Sequence, residues 1–84
     1  MNVRWAPTAR EELTKIWVRA DSAKRRAITS AAHTIDVRLA GDPDGEGESR
    51  AADERVLFER PLGVVFQVQD DRSTVRVLRV WTFR

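Results

Sequence analysis

Thirteen of the fifteen basic residues in this 84-residue chain are arginine, and only Lys15 and Lys24 are not. A guanidinium is a planar fork of donors that grips phosphate or carboxylate at two points, where an ammonium offers a point charge. Arg55 and Arg79 both stand in segments where polar and apolar residues alternate, close to Gln67, Trp81 and Phe83. If alternation aims these side chains at one open sheet face, that face joins phosphate-gripping groups to rings on which bases stack. Arg50, Arg60 and the terminal Arg84 add to the set. The alternative is structural, with Trp81 and Phe83 as core residues, the arginines as a solvated edge, and the arginine excess as a mark of GC-rich coding. Both readings stand at this level.

Other chemistries are closed. The chain has no cysteine and one histidine, which excludes disulfide frameworks and Cys/His metal centres. No phosphate loop, nucleophile elbow or dinucleotide fingerprint is present. Ser22, Ser30, Ser49 and Ser73 have no histidine relay. His33 falls beside Arg26 and Ser30 on a helical wheel, facing solvent or a partner. No apolar run approaches the roughly 20 residues of a membrane helix, and MNVRWAPTAR lacks the apolar stretch of an export signal. The expectation is one cytoplasmic domain over residues 1–84, with no cofactor, metal or membrane contact. The formal charge is only +2. Between Gly41 and Glu54, however, six acids face one base, leaving fourteen bases against seven acids elsewhere, a balance of +7.

The elements that must position these residues follow from period and punctuation. Val3-Arg4-Trp5 favours a strand and is stopped by Pro7. Thr8 and Glu11 have the spacing of a capping box, and Ala9, Leu13, Ile16, Trp17 and Ala20 recur at helical intervals, which predicts a helix over 8–20. Asp21 or Ser22 caps a second helix striped by Ile28, Ala31, Ile35 and Leu39 and stopped by Gly41 and Pro43. With almost no linker, the two should form an antiparallel hairpin. A polar loop runs to Glu54. Alternation then predicts a strand carrying Val56 and Phe58 inward and Arg55 and Leu57 outward. A turn at Pro61-Leu62-Gly63 should lead to a second strand with Val64, Phe66 and Val68 inward and Gln67 and Gln69 outward. Asp70 to Ser73 is turn chemistry, and Thr74 to Phe83 is a central strand. If Leu78 and Val80 face the helices, Arg79, Trp81 and Phe83 join the open face. The fold class is α+β, β-α-α-β-β-β, with the helical hairpin packed on one face of a small antiparallel sheet.

In this order and spacing the chain resembles the RelE/ParE superfamily of type II toxin–antitoxin toxins, of the plasmid-stabilisation type. The resemblance lies in Trp5-Ala6-Pro7 leading into Ala9 to Leu13 and Ile16-Trp17. It continues through Ala32 to Asp36, Leu39 to Pro43, Gly47 to Arg50, Pro61 to Val68 and Val75 to Trp81. It implies a growth-inhibiting toxin silenced by a cognate antitoxin protein. RelE-like members cut mRNA on the ribosome without metal, orienting the 2′-hydroxyl while basic groups stabilise the developing charge; ParE-like members poison DNA gyrase. The resemblance sets Arg55 where such nucleases carry a basic residue, Gly63 or its neighbour where they carry an arginine, and Phe83 and Arg84 near their terminal cluster. The catalytic candidates are therefore Arg55, Arg79 and Arg84. The target-binding candidates are Arg50, Arg60, Gln67, Trp81 and Phe83. The ribosomal reading stands first, gyrase poisoning second, and a non-catalytic partner-binding module third.

Overall fold

A computed structural model describes residues 1–49, 53–69 and 73–83. The elements are β1 (Asn2–Trp5), α1 (Pro7–Arg19), α2 (Ser22–Gly41), a 3-10 turn (Pro43–Gly45), β2 (Glu48–Ser49), β3 (Glu54–Glu59), β4 (Leu62–Val68) and β5 (Thr74–Thr82). The sheet order is β1-β5-β4-β3-β2. The α+β layout expected from the sequence holds, and the first strand completes the sheet by running parallel to β5, against antiparallel pairing elsewhere. One layer of helices covers one face. Its stripe of Ala9, Ile28, Ala31, Ile35 and Leu39 packs on Leu57, Leu62, Val64, Phe66, Val75, Val77 and Val80. Each large aliphatic or aromatic side chain fully buried this way contributes about 1.5–3 kcal/mol.

The capping box does not form. Ala6 is the residue before α1 and makes no side-chain cap, while Pro7 takes the first helical position. Pro is pre-set for that place, since its fixed φ suits the helix and its missing N–H has no partner to lose. The sheet decides the start: the Ala6 amide donates to the Val77 carbonyl (2.8 Å), and the Ala6 carbonyl accepts from the Arg10 amide (2.9 Å). Asp21 does cap α2, accepting from the Lys24 amide at 2.9 Å. Arg25 closes the hairpin by donating to the carbonyls of Trp17 and Val18, both at 2.9 Å. Its guanidinium also lies 4.3 Å from the centre of the Trp17 ring.

The loop after α2 is held by Arg38. Its fork donates to both carboxylate oxygens of Glu46 at 2.8 Å and to Glu59 at 3.0 Å, tying the 3-10 turn and β3 to the helix. Across the molecule, the Trp5 Nε1 donates to Asp36 at 2.7 Å and fastens β1 to α2. The hairpin turn is shorter than expected. Glu59 already pairs with Leu62, so Leu62 and Gly63 belong to β4 and only Arg60 and Pro61 turn the chain.

Because β5 lies between β1 and β4 and carries three core valines, deleting residues 75–84 removes the middle of the sheet. The truncated chain should show no cooperative thermal transition by circular dichroism; a sharp melt would contradict this strand order.

Candidate functional site

The turn length settles which way β3 faces. With Glu59 opposite Leu62, Leu57 pairs with Val64 and Arg55 with Phe66. Leu57 is therefore inside, at 3% exposure, and Phe58 outside, at 49%. This reverses the expected phase of β3. A three-residue turn at 61–63 would have set Phe58 opposite Phe66, and a one-residue change in loop length moves every side chain to the other face. Arg55 consequently lies on the helix side of the sheet, where its Nη1 donates to the Glu46 carbonyl at 3.3 Å. It does not join Arg79.

Along β5 a bulge does similar work. Val65 pairs with Arg79 and Phe66 with Val77, leaving Leu78 as the extra residue. Val77 and Val80 can then both point into the core, and Arg76, Arg79 and Trp81 fall on the open side, as expected for Arg79 and Trp81. Arg79 is nonetheless engaged. Glu12 of α1 accepts from its Nε and Nη2 at 2.9 and 2.7 Å and also from the Val80 amide at 3.1 Å. Beyond Val77 the β5 edge has no β1 to pair with, and the Glu12 carboxylate covers it. The Arg79 hydrogen bonds hold the Glu12 carboxyl below its ordinary value of 4.5, with the Val80 amide adding to the effect.

Three rings gather at the far end of the open face. Phe58 meets Trp81 edge-on at 6.1 Å and Phe83 at 5.1 Å, and the Arg60 guanidinium lies 5.2 Å from the Phe83 centre. Trp81 packs directly over Gly63, where a Cβ would come within 2.6 Å of the indole. The position where the resemblance looks for an arginine is thus occupied by a tryptophan over a glycine. Gln67 sits farther along the same face, paired with Arg76. Arg50 and Arg84 lie outside the described residues. So the structure joins Arg60, Trp81 and Phe83, adds Phe58 to them, and separates Arg55 and Arg79. Phe58 and Glu12 were missed: the first because two apolar residues outvoted Leu57 in the alternation, the second because nothing in a helix's sequence says which strand edge it will cover.

A second feature lies on the helix side. A groove of about 830 Å³ runs between the helical hairpin and the C-terminal end of β5. Ile16, Ala20, Ala27, Ile28, Pro61 and Phe83 make its apolar floor; Lys15, Arg19, Lys24 and Arg60 are its charged lining, and no carboxylate is among its described lining residues. His33 is exposed on α2. Among the described residues no group of His, Cys, Asp or Glu could hold a metal ion, and no helix is long and apolar enough to cross a membrane.

The profile of a family described as the ParE toxin of the type II toxin–antitoxin system parDE matches residues 3–83. The chain belongs to the ParE toxin family. It is a toxin of a type II toxin–antitoxin system. No curated protein sequence matches it. Among solved structures it is similar to a chain of the chromosomal ParDE system of P. aeruginosa, with TM-score 0.78 and 22% identity over 100% of this chain and 97% of that one. A chain of the RelBE2 complex of Mycobacterium tuberculosis gives 0.74 and 21%, over 98% and 90%. One from the intact E. coli RelBE complex gives 0.61 and 18%, over 99% and 96%. At these identities the likeness is one of fold.

Two outcomes follow for the toxin. Gly63→Ala must push the Trp81 indole aside and should cost about 1–3 kcal/mol in urea melts, as overpacking does. Glu12 has a lowered folded-state value, so its clasp contributes fully above pH 4.5 and is lost as pH falls through that lowered value. Glu46, held down by the Arg38 fork, acts in the same direction. Glu12→Gln should therefore flatten the loss of stability seen below pH 4.5 in wild-type melts; an unchanged acid limb would count against the clasp.

Proposed function

We propose that this toxin acts without cutting RNA, by poisoning DNA gyrase, and that an acidic, amphipathic segment of its antitoxin silences it from the helix–strand groove. The observation that carries the first half is the separation of the guanidiniums. Charge stabilisation at a scissile phosphate needs donors preorganised around one point. Arg55 lies on the helix side of the sheet and Arg79 lies toward the opposite face in a carboxylate's grip. Tryptophan and glycine fill the place of the third basic group, and the chain has no tyrosine. Membership of the ParE family supports the same reading. The ribosome-dependent nuclease stands second, favoured by the rings and Arg60 on the open face. A partner-binding module without toxicity stands third.

The antitoxin half rests on the groove. Four cations over an apolar floor, with no carboxylate among the described lining residues, suit a helix with acidic and apolar sides. The solved relatives include toxin–antitoxin complexes, which supports a partner of that kind.

The test is a gyrase supercoiling assay beside in-vitro translation with primer extension. Trapped gyrase–DNA complexes with an intact message are expected; codon-phased cuts lost in Arg55→Ala and Arg79→Ala would restore the nuclease. For the groove, Arg19→Glu with Lys24→Glu should weaken capture by the neighbouring antitoxin about tenfold and steepen its loss in salt. Unchanged affinity would move the antitoxin elsewhere.

A further inference from the structure

Away from the groove and the ring cluster, a pocket of about 620 Å³ opens where β1 meets α1. Arg4, Arg10 and Arg76 line it, with Trp5, Leu13 and Ala32 among its apolar walls and Asp36 as the one carboxylate among the described lining residues. That carboxylate accepts from Trp5 at 2.7 Å. Arg4, Arg10 and Arg76 make no ion pair with any described residue. Arg4 and Arg76 are register partners on the parallel strands β1 and β5, about 4.8 Å apart across the ladder. Like charges directly opposite each other destabilise a sheet. An anion bridging them reverses that cost, and two guanidinium forks side by side suit the oxygens of a phosphate.

We infer that Arg4, Arg76 and Arg10 form a phosphate-binding site for a single nucleic-acid strand, which continues along the open face to stack on Phe58. A carboxylate-rich peptide would also answer the charge. The rest of the face separates the two. Arg76 and Trp81 stand on the same side of β5, five positions apart along one strand, about 16 Å at the usual rise per residue. At that end Phe58 is 49% exposed, framed by Trp81 and Phe83. Gln67 lies beside Arg76 along the way, with Glu54 as its register partner on the far side. Cations at one end of a face and an exposed ring at the other are what single-strand binders combine, phosphates on the cations and bases on the ring. Peptide carboxylates have no use for the ring.

The site is a property of the isolated toxin and does not rest on gyrase being the target. Binding of a labelled oligothymidylate of about a dozen nucleotides to the purified toxin should be followed by fluorescence anisotropy across about 50–200 mM salt. Arg4→Ala with Arg76→Ala should lower affinity at least tenfold and flatten the logarithmic salt slope by about 1.4, two single-strand phosphate contacts' worth. Arg10→Ala should flatten it by about half as much. Arg4→Lys with Arg76→Lys should keep the slope and lose affinity, because charge survives and the fork does not. Phe58→Ala should cost about tenfold with the slope unchanged. Arg26→Ala, an exposed arginine on α2, should change neither. The inference is overturned by absence of binding at the lowest salt, or by Arg26→Ala flattening the slope as far as Arg10→Ala does. It is equally overturned if a polyglutamate peptide of matched charge displaces the oligonucleotide as well as unlabelled oligothymidylate does, since the pocket would then serve a peptide.

Discussion

The two-residue turn at Arg60 and Pro61 closes the hairpin with Glu59 against Leu62, and the two faces of β3 depend on that pairing. Side chains alternate along a strand, so register and orientation are one variable. Phe66 and Val64 are fully buried in the core cluster with Ile35 and Leu39. The turn then sends Leu57 in with them and Phe58 out. It also turns Arg55 toward the helices and away from the face that Arg79 and Trp81 share. The side of the sheet on which Arg55 stands rests here on the length of one loop.

The second organising feature is the way β5 is covered on the edge away from β4. β1 pairs with its first half, and α1 takes over where β1 ends, with Glu12 accepting from the Val80 amide as another strand would. Uncovered strand edges invite pairing with other chains, and a side-chain acceptor placed on one blunts it. The same carboxylate holds Arg79 by two nitrogens. One residue therefore caps the strand edge and pairs with a guanidinium that stays 62% exposed. The bulge at Leu78 makes this possible, since without it Val77 and Val80 would not share the core side.

The charge asymmetry of the sequence acquires a shape. Glu46, from the acidic stretch, is drawn into the Arg38 fork and closes the loop onto α2. The arginines left over do not form one patch. Arg19 and Arg60 border the apolar groove beside the hairpin, and Arg4, Arg10 and Arg76 surround the pocket at the β1 end. The two cationic surfaces differ in character, one floored by aliphatic side chains and one at the β1 end of the face that carries Phe58.

Much of this was legible in the residues themselves. The stripe Ile28, Ala31, Ile35, Leu39 declares α2 and its buried face, because helical spacing and burial are local facts about one element. Asp21 declares its cap for the same reason, and the alternation at Val64, Phe66 and Val68 sets the phase of β4. The β3 phase was not legible, since Val56, Leu57 and Phe58 are all apolar and only the pairing with β4 chooses among them. The absent capping box is a similar case: Thr8 and Glu11 have the right spacing, but the bond from Ala6 to Val77 starts the helix one residue earlier. Nor could spacing bring Glu12 to Arg79, 67 residues apart, or set Arg4 beside Arg76 on parallel strands. Periodicity reports what one element buries. Which charges meet is decided by how elements pack, and among the described residues those meetings divide the arginines that are ion-paired from those that are not.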